Sequence, residues 1–228
     1  MRFFFLLLIF WSCSPQQVTS IPFRADLFVI DGLLDEPLWK ETYKVFEFEN
    51  LLDTTSNHRP YPTSLQISYT HTALLFGGHV SYDVLPENMI RTRDSTLYLQ
   101  HCFEIFFDPY ADGIDYYELE INPTGTIWDL KLKNANGRIN APSNMLPWDI
   151  PLEQVRTYIH ERDNYWSFEI AIPWSYIKEG RPTYNDTWSF NAMRIDYESS
   201  QQPSYWVWQR TGKEMIHVPS QWVKLQFN

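Results

Sequence analysis

Glu104, Asp108, Glu118 and Glu120 lie close together in one stretch of this chain, with the amide of Asn122 just beyond them. Carboxylates in such a group suit three chemistries. Two of them about 5–10 Å apart can hydrolyse a glycosidic bond as acid and base or as acid and nucleophile. One alone can accept hydrogen bonds from sugar hydroxyls. Several in an oxygen-rich turn can hold calcium. Nothing in the local sequence makes one carboxylate an acid and another a base, and acidic residues also make ordinary solvated surface. His217 has no second His or carboxylate at metal-ligand spacing, so a zinc site is not expected.

These residues need elements to position them, and the run from Phe103 to Lys133 supplies three predicted strands. In 103–108, Phe103, Ile105 and Phe107 alternate with Glu104, Phe106 and Asp108. In 116–122, Tyr117, Leu119 and Ile121 alternate with Tyr116, Glu118, Glu120 and Asn122. In 127–133 the apolar set is Trp128, Leu130 and Leu132. Period-two alternation predicts one dry face and one wet face per strand. Pro109 to Gly113 and Pro123 to Gly125 provide the Pro and Gly that tight turns need. A wet face bearing both carboxylates and aromatics fits plain solvated surface or a sugar site.

The remaining chain continues the pattern. Leu27–Ile30 predicts a first strand, and Asp35–Trp39 a short helix with Asp35 as N-cap and Pro37 in its first turn. A hairpin is expected through His71 and Thr72, with Gly77-Gly78 marking a bulge or a close backbone approach. Trp166, Phe168, Ile170 and Ile172 predict an inward face, and Ser167, Glu169 and Ala171 an outward one. The total is roughly ten or eleven strands with one or two short helical turns. That predicts an all-β chain: a two-sheet antiparallel β-sandwich of jelly-roll or immunoglobulin-like type, in one domain over 26–228.

The chain has 228 residues, 44% hydrophobic and 17% aromatic, with ten Trp. That is enough for one real core, with aromatics to spare for a stacking surface. A formal net charge of −10 argues against nucleic acid, whose phosphates need Lys and Arg, and against an anionic membrane surface. Residues 1–12 read as a lipoprotein-type signal peptide: Arg2, then an apolar run from Phe3 to Trp11 too short to span a bilayer. Cys13 follows at once and is the expected lipidation site, and 13–25 is an expected tether. An ordinary secretory leader cleaved elsewhere is the alternative. Localisation is therefore expected to be outside the cytoplasm, lipid-anchored in the bacterial envelope, with the anchor as the only membrane contact. Cys102 is then left without a partner and is expected to be a buried, inert thiol.

Several motifs stand in a familiar order: Ile30-Asp-Gly-Leu-Leu-Asp-Glu-Pro-Leu-Trp39, Phe103-Glu-Ile-Phe-Phe-Asp-Pro109, Gly125-Thr-Ile-Trp-Asp-Leu130, Phe168-Glu-Ile-Ala-Ile-Pro-Trp174, Trp206-Val-Trp208 and Met215-Ile-His-Val-Pro219. In that order they resemble the carbohydrate-binding module family 9-like domains of bacterial secreted proteins and lipoproteins, over about 26–227. The resemblance implies a sandwich that binds poly- or oligosaccharide without catalysis, two Trp clamping the sugar ring while polar side chains hold its hydroxyls. Tyr98 falls at the first clamp Trp and Glu104 at the binding Glu. The binding Gln falls on Met193, with Arg194 adjacent; the second clamp Trp falls on Ile216, with His217 adjacent. The two-Trp clamp is therefore not reproduced.

The expected carbohydrate-binding set is Tyr98, Glu104, Asn122, Trp128, Arg194, Trp208 and His217. Each has a plainer rival. Tyr98 can be a packing plug, Trp128 can be core beside Leu130 and Leu132, Asn122 can be turn chemistry, and Arg194 can belong to a buried structural ion pair. Of Trp206 and Trp208, which share a face, at least one is expected in the core. No cofactor is expected. Structural calcium is an open option at Asp31–Glu36 and Asp108–Asp115, because some members of the family carry it. A sugar-binding module ranks first, a surface-interaction or cofactor-binding sandwich second, and a glycosidase third.

Overall fold

The computed structural model describes residues 19–25, 27–53, 60–134, 145–197 and 202–228. The expected leader and Cys13 lie outside the described residues. In chain order the strands are β1 (Thr19–Ile21), β2 (Tyr43–Val45), β3 (Glu49–Asn50), β4 (Thr63–Tyr69), β5 (Ala73–Ser81), β6 (Cys102–Asp108) and β7 (Asp115–Ile121). They continue as β8 (Ile127–Lys133), β9 (Met145–Pro147), β10 (Val155–His160), β11 (Tyr165–Pro173), β12 (Thr187–Tyr197), β13 (Pro203–Val207) and β14 (Val223–Phe227). The helical content among the described residues is a few single 3-10 turns.

Two sheets pack face to face. The larger has the order β1-β14-β12-β6-β7-β8-β9, with β13 paired to the C-terminal half of β12 and β3 paired to β13. The smaller has the order β10-β11-β5-β4-β2. Among the named strands all pairings are antiparallel except β1 with β14, which is parallel, and an isolated parallel bridge joins Phe23 to Tyr69. Thr19–Ile21, expected in the tether, thus forms an edge of the large sheet. Inter-sheet packing follows the predicted dry faces: Phe103, Ile105 and Phe107 of β6, Tyr117, Leu119 and Ile121 of β7, and Trp166, Phe168, Ile170 and Ile172 of β11 share one core. Phe107 anchors it, stacked on Tyr117 at 4.9 Å and on Trp188 at 6.1 Å between ring centroids. Such pairs add about 0.5–1.5 kcal/mol each beyond their area burial.

Both outer faces are partly covered, although the small sheet's edge residues Arg156 and Tyr158 remain exposed. Leu27–Ile30 forms no strand. Phe28, Ile30 and Leu34, with Leu38 and Trp39, lie over Ala73, Leu75 and Ala171 on the outside of the small sheet. The segment is used for side-chain cover rather than backbone pairing, and Leu27 and Val29 between its packed residues are exposed. The turn at Pro37–Glu41 has Glu36 as its N-cap residue, with no capping side chain. Trp39 lies on this outer face, where its indole N–H donates to Glu169 at 2.6 Å. Close cover explains Gly77-Gly78: a Cβ at Gly77 would meet Leu34 at 2.3 Å, and one at Gly78 would meet Phe168 at 2.5 Å. The ladders run through both glycines in register, so they mark close approach and not a bulge.

Candidate functional site

The outer face of the large sheet carries a second apolar cluster, built from Cys102, Phe106, Tyr116, Leu130, Leu132, Met193, Ile195, Ile216 and Trp222. Its composition follows from register. Phe106 pairs with Glu118, Glu118 with Leu130, and Glu120 with both Glu104 and Trp128. The predicted wet faces of β6 and β7 therefore share a surface with the apolar set of β8, and that surface is covered by the loops before β6 and before β14. What remains open is a cleft of about 690 Å³ lined by Tyr98, Glu104, Glu118, Glu120, Trp128 and His217, with Leu130, Leu132, Met145, Pro147, Met193, Ile195 and Tyr205 completing the wall. Tyr98 is carried by the single helical turn Leu97–Leu99 and stacks on Trp128, ring centroids 6.1 Å apart and planes 25° from parallel.

The carboxylates in this cleft are buried, Glu104 and Glu120 at 2% exposure and Glu118 at 5%. Glu104 faces Glu120 across the β6–β7 ladder and Met193 across the β6–β12 ladder. The Cys102 thiol donates to Glu104 at 3.8 Å. Desolvation, then the negative charge of Glu118, holds the Glu104 carboxyl well above the usual carboxylate range. Desolvation, then the charges of Glu104 and Glu118, does the same for Glu120, and burial alone raises Glu118. One oxygen of Glu120, Oε2, is buried without a hydrogen-bond partner. Among the described residues no Lys or Arg lines the cleft.

His217 sits at the same cleft with its Nδ1 2.9 Å from the Tyr116 hydroxyl and its ring edge-on to Phe106. Burial lowers its pKa to about 4, so it is neutral at neutral pH. Met215–His217 is irregular chain rather than strand.

The structure brings Tyr98, Glu104, Trp128 and His217 together and places three other expected site residues elsewhere. Arg194 lies on the inner face of β12, in line with Phe190 and Ala192, and is 1% exposed. Its guanidinium pairs with Asp196 at 2.6 Å and donates to the Tyr61 carbonyl at 3.0 Å, the Thr63 hydroxyl at 2.7 Å and the Ser81 carbonyl at 2.5 Å. It ties β12 to the ends of β4 and β5. Trp208 is also on the inner side, its ring against Tyr43 at 5.8 Å and its backbone N–H donating to Ala192. Asn122 is a turn residue: its Oδ1 accepts from the Thr124 and Thr126 backbone N–H groups and the Thr124 hydroxyl, and its Nδ2 donates to the Ile90 carbonyl at 2.8 Å.

Glu118 and Glu120, weighed in the sequence as hydrolytic carboxylates, and Met193 and Tyr205 line the cleft although they stand outside the expected carbohydrate-binding set. Alternation did place Glu118 and Glu120 in phase with each other. That Glu120 lies opposite Glu104, with Glu118 diagonal to it beside Phe106, depends on the cross-strand register.

The two acidic turns differ. Asp108 accepts the backbone N–H groups of Tyr110 at 3.0 Å and Gly113 at 2.8 Å, so its own turn uses its oxygens. Asp31, Glu36 and Glu169 bring ligand-capable oxygens within 4.8 Å of one another; Glu169 already accepts from the Asp31 and Gly32 N–H groups and the Trp39 indole, while Glu36 Oε2 is buried without a partner. That donor set is all carboxylate oxygen, which fits calcium.

The sequence profile of carbohydrate-binding family 9 matches residues 33–227, and the chain belongs to that family. Its fold is shared by solved structures at low sequence identity. A candidate carbohydrate-binding protein of Bacteroides uniformis superposes with a TM-score of 0.68 at 17% identity, over 92% of this chain and 100% of that one. A family 9 module of Caldicellulosiruptor kristjanssonii, solved with cellotriose, gives 0.58 at 16% identity over 92% of this chain and 94% of that one. The same module solved with glucose gives 0.59 at 16%, over 92% of this chain and 96% of that one. No curated protein matches the chain.

Proposed function

We propose that this protein binds an oligosaccharide, without cleaving it, in the cleft on the outer face of the large sheet. The observation that carries the reading is the Tyr98–Trp128 stack standing over three buried carboxylates in one sugar-sized cleft. Aromatic faces take the apolar face of a sugar ring, and polar groups beneath fix its hydroxyls. The family 9 neighbours bound to cellotriose and glucose support the ligand class. Binding without hydrolysis is our reading of the carboxyl set, and it agrees with the family's role as a binding module. A glycosidase needs one carboxyl held as acid while its partner stays ionised. Here Glu104, Glu118 and Glu120 are all pushed the same way, upward.

The site we assign is Tyr98, Glu104, Trp128 and His217 of the expected set, joined by Glu118, Glu120 and Tyr205. A glycan array probed with the purified protein, followed by calorimetric titration of the best oligosaccharide against Tyr98→Ala, tests the reading. Binding that Tyr98→Ala weakens supports it. Turnover of the oligosaccharide, abolished by Glu104→Gln, would replace it with a hydrolase.

We also propose that Cys13 carries a lipid that holds the module at the bacterial envelope, and that Asp31, Glu36 and Glu169 hold a calcium ion that pins the 28–39 segment to β11. The support is the position of Cys13 directly after a short apolar run, and the converging carboxylates of the second cluster.

A further inference from the structure

Three carboxyl groups share one buried cleft, and ionising any of them there calls for a positive charge beside it. Glu104 and Glu120 are directly opposed, which sets their Cβ atoms about 4.5–5.5 Å apart, and Glu118 is the next residue along the same face of β7. All three open onto the cleft. Among the described residues no cation answers them there, and Glu120 Oε2 is buried with no hydrogen-bond partner. A neutral sugar could donate hydroxyl protons to this group but would bring no charge. An ammonium brings one positive charge and three N–H donors. The wall beside the carboxylates is aromatic, with Tyr98, Trp128 and Tyr205, and π-faces also attract a cation.

We propose that the cleft is specific for an amino sugar with a free amine, its ammonium seated among Glu104, Glu118 and Glu120 and its ring against Tyr98 and Trp128. This rests on the reading of the cleft as an oligosaccharide site. N-acetylation would remove the charge and place a methyl group among the carboxylates, so the acetylated sugar is a poor ligand. A divalent metal held by Cys102, Glu104 and Glu120, whose ligand-capable atoms lie within 4.8 Å of one another, is the competing occupant. It would need the Cys102 thiolate, and burial pushes that thiol well above its ordinary range.

The proposal carries a proton signature. The titratable groups facing the cleft or its floor are Cys102, Glu104, Glu118, Glu120, Tyr98, Tyr116, Tyr205 and His217. Burial and mutual repulsion keep the carboxyls protonated, so an arriving ammonium must displace protons from them, whereas a neutral sugar displaces none.

The test is calorimetric titration of the purified protein with three β-1,4-linked oligosaccharides of equal length: deacetylated glucosamine, N-acetylglucosamine and glucose. Each is run in two buffers of different ionisation enthalpy at about pH 6, where a free amine is charged. The glucosamine oligomer is expected to bind at least ~10-fold more tightly than the glucose oligomer. Its binding is expected to release protons, and Glu120→Gln should remove both the preference and the release. If the glucose or acetylated oligomer binds as well or better, the inference falls while the sugar site stands. If none of the three binds, both fall. Tight zinc binding that excludes the glucosamine oligomer also overturns the inference. A melting curve checks that Glu120→Gln folds; should it not, the comparison of the three ligands on the unaltered protein decides alone.

Discussion

Glu104 and Glu120 face each other across the β6–β7 ladder, both buried, with no Lys or Arg lining their cleft among the described residues. Like charges directly opposed across a ladder are destabilising, and burial adds a desolvation cost for each ionised form. The fold therefore favours the protonated acids, and its stability depends on pH.

The sign follows from linkage. An unfolded Glu titrates near 4.3 and these titrate higher in the fold, so their contribution is full below about pH 4.3 and lost as pH rises through the folded values. His217 acts oppositely: its contribution is full above about pH 6.5 and lost as pH falls toward its folded value of about 4. Above about pH 6.5 the His217 contribution is complete, while the cleft carboxyls, Glu169 and the buried Cys102 thiol, all raised by burial, act in one direction, so Tm should fall as pH rises further. Glu120→Gln should raise Tm at about pH 8 by some ~2–4 °C for each kcal/mol of relieved repulsion, and should flatten the pH profile. A melting series over pH for both proteins checks this; a Tm that rises on the alkaline side would contradict it.

Tyr98 is carried on a loop turn and is 41% exposed, so it can be removed with little cost to the fold. Tyr98→Ala is expected to weaken oligosaccharide binding by about 2- to 10-fold, the factor that corresponds to ~0.5–1.5 kcal/mol, while Tm moves little. Calorimetry beside a melting curve reads both. Loss of binding only through unfolding would assign Tyr98 to packing.

Arg194 should behave in the opposite way. Its pair with Asp196 is buried, and removing one partner leaves an uncompensated charge. Arg194→Met is expected to cost about 3–5 kcal/mol of stability. Denaturant unfolding measures it. At a temperature where the variant is folded, its oligosaccharide affinity should equal that of the parent, and a selective loss of affinity would return Arg194 to the site.

Intact mass of the membrane-extracted protein should show Cys13 as an acylated N-terminus. A mature chain that begins elsewhere, with no acyl mass, removes the anchor.

Chelation should lower Tm if calcium joins Asp31, Glu36 and Glu169, and added calcium should restore it. Glu169 also accepts the backbone N–H groups of Asp31 and Gly32 at 2.9 Å, so the expected local effect is loosening of the 28–39 cover. An unchanged Tm in EDTA removes the metal.

The strands and their inward faces were legible in the sequence because alternation is local. Phe103, Ile105 and Phe107 announce an inner face by their spacing alone, as do Trp166, Phe168, Ile170 and Ile172. Asn122 before Pro123 and Gly77-Gly78 inside a strand were legible only as alternatives, sugar contact or turn chemistry for the first and bulge or close approach for the second, and the structure selects turn chemistry and close approach. The ordered motifs carried the family. Which side chains share the cleft was decided only by the tertiary structure. Alternation tells that Glu104 and Glu118 lie on one side of their strands, but it cannot tell that loops bury that side or that Trp128 and Leu130 share it. Register and cover arise from contacts between residues far apart in the chain. The same limit misplaced Arg194 and Trp208. Only the packing of β12 against the ends of β4 and β5 shows that Arg194 is spent inside the sandwich, and only the contact with Tyr43 of β2 shows it for Trp208.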